Sequence, residues 1–586
     1  MAFLVSPGVN TSEIDLTTSV PAVGTSTGAT VGFFRWGPAS VVVQVSNEVE
    51  LAEKFFKPDN NSAVSFMSAA NFLAYGNDLR VVRVVNSTAG AGASNNAVSN
   101  ANSYVTITND EAYFSNQYQT SNASIAWAAR YPGSLGNSLK VSVCASVNAF
   151  TGGANTANAW PYATYFDSAP GTSEYASSVT NNSTINDELH IVVVDEDGVI
   201  SGVANTVLER YSNLSKAADA KGDDGASIFY KEVIFRNSKY IHWMGHLSGA
   251  NSAWGNTVVQ ANAAGVFYSP SDYLSYSLVN GADGSPTQGQ MITAIDLFQN
   301  KEELDISLLF AGDCLVNANT SINPREIADE YLGLAFDRKD CVAFISPPYA
   351  ESVTSTSKAA SIVSYRSSLT QGTSYGVLDS GWKYQYDKYN DVYRWIPLNA
   401  DIAGLCVRTD LQRDPWFSPA GVNRGQIRNL VKLSFNPTQS ERDMLYKAGV
   451  NPVVSFPGEG TILYGDKTLQ SKPSAFDRIN VRRLFIVLEK AISRAARASL
   501  FEFNDEFTRA QFVALVEPFL RDVQGRRGIY DFRVVCDETN NTPAVIDRNE
   551  FVGDIYVKPA RSVNFIQLNF VAVRSGVSFD EIVGRF

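Results

Sequence analysis

The last third of the chain, residues 400–586, carries the densest pattern of helix and strand and therefore constrains the fold most. Residues 481–503 repeat apolar side chains at helical spacing, and residues 504–506 supply an N-cap and an acidic first turn for a second helix. Pro518 is expected to kink this second helix and Gly525 to end it. Strand-like runs follow at residues 530–536, 551–558 and 562–574. We expect residues 400–586 to form a core domain that ends in an arm.

Two separate stretches, residues 21–86 and 187–399, carry the pattern of a single α/β domain. The second stretch contains three short apolar runs that are typical of buried parallel strands, at residues 189–194, 306–310 and 342–345. Helical patterns separate these runs, and the clearest begins at Pro324, which suits the first helical position behind Asn323. Residues 21–86 add a strand and a helix. We expect both stretches to form one middle domain.

Residues 87–186, which lie between these two stretches, contain six charged side chains in 100 residues. Ser, Thr, Asn, Ala, Gly and Tyr dominate, and turn residues bound short β-type runs such as residues 104–108 and 139–144. We expect an inserted β-domain that protrudes from the subunit. The alternative is a disordered loop, which the interleaved aromatic residues disfavour.

The composition is that of a globular chain of low charge, with 45% apolar and 18% charged residues. No stretch approaches the ~18 uncharged apolar residues of a membrane helix. The first residues, MAFLVSP, lack the basic start of a signal peptide. The five cysteines are odd in number and far apart, which favours reduced, buried thiols over disulfides. We therefore expect no membrane insertion and a chain that stays in the cytoplasm of the cell that makes it.

The charge is distributed unevenly along the chain. Residues 401–586 hold 25 Lys and Arg against 22 Asp and Glu, a net charge of +3, whereas residues 1–400 have a net charge of −15. This balance argues against direct nucleic-acid binding, which needs a concentrated basic surface. Four cations of the helix at residues 481–503 fall within about 60° of one another at about 100° per residue. These cations are Arg483, Lys490, Arg494 and Arg497. They form either a solvated basic face or the contact for a fixed acidic surface.

Three enzyme-like patterns are present but incomplete. Residues 372–376 (GTSYG) match a nucleophile elbow, but a strand- or loop-like segment follows them and all three histidines precede them. Residues 457–468 approach a phosphate-binding loop, but Asp466 interrupts its Gly-Lys-Thr ending. His242 and His246 have the spacing of zinc ligands without the Glu of that motif or a clear third ligand. We expect no catalytic residue, metal ion or cofactor, and a cytoplasmic hydrolase or nucleotide-binding enzyme is the disfavoured alternative.

Several stretches are specific enough to suggest a family. In the C-terminal third they are residues 414–424 (DPWFSPAGVNR), 474–483 (SAFDRINVRR) and 517–528 (EPFLRDVQGRRG). Near the N-terminus they are residues 6–13 (SPGVNTSE) and 32–38 (GFFRWGP). Together they resemble the contractile tail sheath proteins of T-even-type bacteriophages, the myoviruses. Over the middle of the chain the resemblance is weak.

The resemblance implies an α+β or α/β multidomain subunit that does mechanical work. Such subunits stack as hexameric rings around a rigid tail tube, and the sheath contracts from the baseplate to drive the tube through the host envelope. The implied partners are further copies of this chain, the tube protein, and the baseplate and tail terminator proteins. The implied location is the virion tail, after assembly in the host cytoplasm. The basic stripe of the 481–503 helix would then face the tube.

The termini offer connections that could survive contraction. The first ~20 residues are expected to form an arm that belongs to the core domain. The chain has extended, apolar segments at both ends, in this arm and in the C-terminal segment. Unpaired strand edges invite pairing with another chain, and the resemblance implies the same exchange. The candidate residues are Phe3, Val5, Val9 and Ile14 at the N-terminus and Phe565, Leu568, Phe570 and Val573 at the C-terminus. The alternative is that both segments pair within their own subunit.

Overall fold

The computed structural model describes residues 24–88, 93–116, 118, 124–152, 159–246, 253–263, 267–313, 322–564 and 567. Its strands are β1 Gly28–Gly32, β2 Val42–Val45, β3 Leu79–Arg83, β4 Trp127–Ala129, β5 Leu139–Cys144, β6 Glu188–Asp195, β7 Thr206–Ser215, β8 Ile241–Trp243, β9 Leu274–Ser277, β10 Leu308–Phe310, β11 Val342–Ile345, β12 Gly376–Asp379, β13 Trp382–Asp387, β14 Val392–Pro397, β15 Lys432–Leu433, β16 Val450–Asn451, β17 Val453–Phe456, β18 Gly460–Leu463, β19 Ile529–Val535 and β20 Asp554–Pro559. Its helices are α1 Glu48–Phe55, α2 Ala63–Leu73, α3 Asp110–Ser115, α4 Val147–Thr151, α5 Glu174–Thr180, α6 Tyr230–Asn237, α7 Val258–Ala263, α8 Gln288–Asp296, α9 Pro324–Arg338, α10 Lys358–Ser368, α11 Asn399–Gln412, α12 Gln439–Lys447, α13 Ile479–Ala496, α14 Glu506–Gly525 and α15 Pro543–Ile546.

A seven-stranded sheet with the order β16-β12-β11-β10-β1-β3-β2 forms the centre of the subunit. All pairs are parallel except β2 with β3. Every residue of β1, β10, β11 and β12 is buried, so helices cover both faces and the strands read as continuous apolar runs. Helix α2 packs on α11, and α8 packs on α9, each pair also contacting the sheet. Gly28 is needed in β1 because a Cβ there would collide with the Phe72 ring.

The insertion is a second domain built on the antiparallel sheet β7-β6-β5-β9 and the pair β4-β8. It leaves the seven-stranded sheet after β3 and returns before α8. The two ends of the insertion meet, because Asn95 and Ala282 exchange backbone N–H···O bonds of 3.1 Å in both directions. Arg83 ties the junction by donating 2.7 Å hydrogen bonds to the carbonyls of Gly37 and Pro132. The insertion therefore extends to about residue 285, and the predicted end at residue 186 is corrected.

Residues 189–194 lie in strand β6 of the insertion and not in the middle-domain strand that their apolar run predicts. Leu189, Ile191 and Val193 pack in the main core of the insertion, whereas Val192 and Val194 pack in a smaller cluster on the other face. With both faces buried, the strand has the continuous apolar run of a parallel strand, although both of its neighbours are antiparallel.

The predicted core domain, residues 400–586, divides between two cores. Helix α11 and strand β16 belong to the seven-stranded sheet and its apolar core. A separate core lies between α13, α14 and the two-stranded sheet β19-β20, with Trp416, Leu488, Phe512 and Val516 among its members. The boundary between the two units therefore lies near residue 470 rather than at residue 400.

Individual elements agree closely with their sequence signals. Helix α9 spans Pro324–Arg338 with Pro324 in its first turn and the Asn323 side chain accepting from the Arg325 N–H, as predicted. Asp505 caps α14, which runs through Pro518 and ends at Gly525.

The fold is thus α+β with several domains. Four of the five cysteines lie in the described part of the chain, and all four are free and buried: Cys144, Cys341, Cys406 and Cys536. None of the helices in the described part of the chain has both the length and the apolar content that a membrane span requires.

Candidate assembly surfaces

Arg483, the first cation of the predicted basic stripe, lies inside the subunit. Its side chain is 4% exposed and forms a two-pronged ion pair with Asp410 near the end of α11, with N···O distances of 2.8 and 2.6 Å. A buried guanidinium has to be paired, and here the pair joins α13 to α11. The expectation that Arg483 faces the tail tube is therefore corrected.

The next two cations of the stripe share one carboxylate. Lys490 donates a 2.9 Å hydrogen bond to Asp305, and Arg494 pairs with the other oxygen of the same group. Burial alone would raise the pKa of Asp305, but these two cations outweigh it and hold that pKa below its ordinary value. Lys490 is largely buried, whereas Arg494 and Arg497 are exposed. Arg497 forms no ion pair with any residue that the structure describes. The exposed part of the stripe therefore consists of Arg494, which is paired with Asp305, and Arg497.

The predicted strand-exchange residues lie outside the described residues. They are Phe3, Val5, Val9 and Ile14 near the start and Phe565, Leu568, Phe570 and Val573 near the end. Hydrogen bonds hold described residues close to both segments. Thr25 donates its hydroxyl to Asp410 at 2.7 Å, and its carbonyl lies 3.4 Å from Arg483. At the other end, Ser562 donates its hydroxyl to Asp466 at 2.7 Å.

The two-stranded sheet β19-β20 offers open edges. Its strands pair antiparallel from Ile529↔Pro559 to Val535↔Asp554, and no third strand joins them among the described residues. Helix α14 packs against β19, while Tyr530 and Tyr556 are 67% and 61% exposed. Within this part of the chain, both outer edges therefore lack a partner strand and leave backbone groups open to one.

The turn between α13 and α14 exposes large apolar side chains that sequence patterns assigned to a helix. Helix α13 ends at Ala496, and a short 3₁₀ turn, Arg497–Ser499, follows it. Phe501 then adopts a left-handed backbone conformation at φ 70°, which is rare for a bulky residue. The exposed side chains are Leu500, Phe501 and Phe503 in this turn and Phe507 in the first turn of α14. Such a patch is typical of an interaction surface.

The enzyme-like motifs take the non-catalytic structures that their flanks predicted. Gly376, the last residue of the GTSYG stretch, begins strand β12, so no helix follows the serine as a nucleophile elbow requires. Residues 457–468 form the turn of the hairpin β17-β18, strand β18 itself and the segment that follows it. Lys467 lies over the Tyr446 ring at 4.2 Å and donates to the carbonyl of the same residue at 2.7 Å. Its ammonium group is thus used within the fold.

The histidines are structural within the described chain. His242 is buried and stacks on Tyr113 with ring centroids 4.5 Å apart, and burial lowers its pKa to about 3. His246 bonds to the Tyr230 hydroxyl at 2.7 Å, and His190 lies 2.9 Å from the Ser168 carbonyl. Among the described residues, no group of three His, Cys, Asp or Glu side chains could hold a metal ion.

Three family models match this chain. The phage tail sheath protein central domain matches residues 291–469, and the phage tail sheath C-terminal domain matches residues 471–572. The tail sheath protein Gp18 domain III N-terminal region matches residues 25–84. The matched ranges meet near residue 470, where the two cores divide, and leave out the residues of the inserted domain.

Curated relatives cover nearly the whole chain. The tail sheath protein of Vibrio phage KVP40 is 34% identical, over 99% of this chain and 100% of the relative. The tail sheath protein of Enterobacteria phage T4 is also 34% identical, over 99% of both chains.

Solved structures share the fold at low identity. A sheath tail protein from Listeria innocua matches with a TM-score of 0.51 and 11% identity, over 92% of this chain and 96% of that one. The contracted helical sheath of the anti-feeding prophage matches with a TM-score of 0.50 and 13% identity, over 97% of this chain and 99% of that one. These comparisons do not support the enzymatic alternatives.

Proposed function

The chain belongs to the family of phage tail sheath proteins and is a structural subunit of a contractile tail sheath, and from this premise we propose that it polymerises as stacked hexameric rings around a tail tube. Contraction of this polymer drives the tube through the host cell envelope, so that the genome can be delivered. The observation that carries the assignment is the 34% identity to the T4 tail sheath protein over 99% of both chains.

Strand exchange between subunits holds the polymer together. The sheet β19-β20 supports this proposal because it has two open edges among the described residues. The N-terminal segment of one neighbour and the C-terminal segment of another each add a strand, through backbone hydrogen bonds that demand little of side-chain shape. The C-terminal candidates Phe565, Leu568, Phe570 and Val573 and the N-terminal candidates Phe3, Val5, Val9 and Ile14 remain predictions.

The exchanged strands stay paired while the subunit bodies move. Sheath contraction needs large rotations of neighbouring bodies without loss of connection, and short segments between a fixed body and an exchanged strand can act as hinges. Thr25 and Ser562 support this scheme, because both anchor the described chain to acidic side chains of the body just where the terminal segments leave.

The tube contact is proposed to involve Arg494 and Arg497 of the original stripe. Both are exposed, although Arg494 shares Asp305 with Lys490, whereas Arg483 and Lys490 are buried or largely buried in their pairs with Asp410 and Asp305. Exposed ion pairs contribute only ~0–1 kcal/mol each. A contact made of such pairs can hold the sheath on an acidic tube before contraction and release it afterwards.

The remaining proposed partners follow from the same assembly. Baseplate proteins trigger contraction at one end of the sheath, and the tail terminator closes the other. Assembly takes place in the host cytoplasm, with no direct nucleic-acid contact. The mature location is the virion tail.

Negative-stain microscopy of the purified protein tests this function. The full chain is expected to form long tubular polysheaths, whereas an enzyme would remain as small particles. A chain that lacks residues 1–16 is expected to remain a folded, soluble monomer, with the circular dichroism and thermal unfolding of the full chain. Ordered polysheaths from the truncated chain would contradict strand exchange by the N-terminal arm.

A further inference from the structure

A basic pocket lies where the end of α11 meets the turn between α14 and β19. It is open, measures about 350 Å³ and is lined by Arg413, Arg424, Arg526 and Arg527. Asp414 is the acidic residue among its lining side chains, and Arg526 already pairs with it. The other three guanidinium groups form no ion pair with any residue in the part of the chain that the structure describes. The pocket thus concentrates positive charge in a chain whose net charge is −12.

Aromatic residues hold two of these guanidinium groups in place. Arg526 lies over the Trp416 ring at 5.2 Å, and the Trp416 indole N–H donates to the Arg526 carbonyl at 3.1 Å. Arg424 lies over the Phe417 ring at 5.7 Å and donates to the Ser418 carbonyl at 2.8 Å. Two of the arginines are therefore positioned before any ligand arrives, which lowers the entropic cost of binding an anion.

Two arginines of the pocket, Arg424 and Arg527, are held in unfavourable surroundings. Burial and the nearby charge of Arg413 lower the pKa of Arg424, so an anion placed between the two would be stabilised. Arg527 adopts a left-handed backbone with φ 66°, although a glycine at this position would avoid that strain. Strained residues of this kind are concentrated at functional sites.

We propose that this pocket binds the carboxylates of Glu13 and Asp15 from the N-terminal segment of a neighbouring copy. The inference rests on the proposed strand exchange and names a site that fixes the register of the exchanged strand. Residues 1–23 contain Glu13 and Asp15 as their charged side chains and no Lys, Arg or His. Residues two apart in a strand point to the same side, so both carboxylates can enter one pocket.

The position of the pocket fits an added strand. Arg527 lies two residues before Ile529, the first residue of β19, so a strand that extends along this sheet passes the pocket at its end. Arg–carboxylate pairs are charge-assisted and can be bidentate, which gives them geometric specificity. The C-terminal segment fits less well, because its Asp580 and Glu581 are adjacent and would point to opposite sides of a strand.

Charge reversal tests the contact. The arm variant carries Glu13→Arg and Asp15→Arg, and the pocket variant carries Arg413→Glu and Arg527→Glu. Each is expected to fold normally but to raise the critical concentration for polysheath formation, measured by sedimentation, about tenfold or more, since every ~1.4 kcal/mol is a factor of ten. A control with Arg521→Glu and Arg548→Glu changes the same charge on exposed residues outside the pocket and should assemble as the unmodified chain does.

Mixing separates the arm of a neighbour from the arm of the same chain. An equimolar mixture of the arm and pocket variants is expected to recover assembly, because each reversed arm then meets a reversed pocket. Recovery only when all four substitutions share one chain would overturn the proposal, since the arm would then bind its own subunit. Recovery of the pocket variant by Asp580→Arg with Glu581→Arg would overturn it in favour of the C-terminal segment.

The truncation of residues 1–16 distinguishes failure of this inference from failure of strand exchange. Normal assembly of the arm variant, together with no assembly of the truncated chain, would refute the pocket contact and leave strand exchange standing. Normal assembly of both would refute strand exchange by the N-terminal segment.

Discussion

Replacement of Asp410 by Asn should destabilise the subunit more than any exposed charge change. The substitution preserves the shape of the side chain and an acceptor for the Thr25 hydroxyl, but it leaves Arg483 buried without its counter-charge. The other acceptors near Arg483 are the carbonyls of Thr25, Cys406 and Pro415, at 3.4 to 3.5 Å. These distances are too long for strong hydrogen bonds, so they cannot replace the carboxylate.

The magnitude follows from burial. Arg483 and Asp410 are 4% and 8% exposed, and removal of one partner of a buried pair costs about 3–5 kcal/mol. By contrast, the Arg521–Glu517 pair is 71% and 37% exposed, so Arg521→Ala should cost ~0–1 kcal/mol. A double variant with Arg483→Met and Asp410→Leu removes both charges and should recover most of the loss.

Urea denaturation followed by circular dichroism measures the free energy of unfolding of the four proteins at low concentration. Hydrogen exchange adds a local readout, since faster exchange is expected in α11 and α13, the two helices that the pair joins. A loss of under about 1 kcal/mol for Asp410→Asn, equal to that of Arg521→Ala, would refute the reasoning that this pair is desolvated. So would a double variant less stable than Asp410→Asn.

Three further outcomes are expected. Replacement of residues 87–286 by a short linker should leave a subunit that folds its seven-stranded sheet and assembles. Deletion of residues 87–186 alone should yield insoluble protein, because it removes β5 from its partner β6. Solubility and microscopy would show whether either expectation fails. Burial raises the pKa of Asp379 to about 8, so the folded state binds a proton there that the unfolded state releases above about pH 4. Stability should therefore fall between about pH 4 and 8 through this group, and Asp379→Asn should gain stability over the unmodified chain across that range in urea denaturation; a constant difference would refute the assignment. Arg494→Glu with Arg497→Glu should weaken tube-templated assembly, most at low salt, and an unchanged yield on tubes would exclude these residues from the tube contact.

Local signals predicted the elements that local chemistry determines. Pro324 behind Asn323 gave the start of α9, and Asp505 with Gly525 gave both ends of α14, because caps and turn residues act within a few positions of the chain. Strand β6 shows the limit of this approach. Its apolar run reported burial on two faces correctly, but the partners that bury it lie elsewhere in the sequence, so the run could not distinguish parallel from antiparallel neighbours.

The sequence pattern did not predict the partners of the basic stripe, for a related reason. Helical spacing correctly placed Arg483, Lys490 and Arg494 on one side of α13, but it gave no information on what faces that side. Asp410 is 73 positions from Arg483, and Asp305 is 185 positions from Lys490. Such pairs depend on the tertiary fold. Two of the motif stretches do lie together in the fold, since Asp414 and Trp416 of one stretch both contact Arg526 of another.

The central position of β1 has a mechanical consequence. The chain enters β1 three residues after Thr25, so tension on the N-terminal segment reaches a strand with parallel neighbours on both sides, β10 and β3. A pull along the strand axis loads all of these backbone hydrogen bonds in shear, and they must fail together rather than unzip one at a time. The Thr25 contacts with Asp410 and Arg483 divert part of that tension into α11 and α13 before it reaches the sheet. The subunit is therefore built to bear load at the point where its neighbours would pull on it.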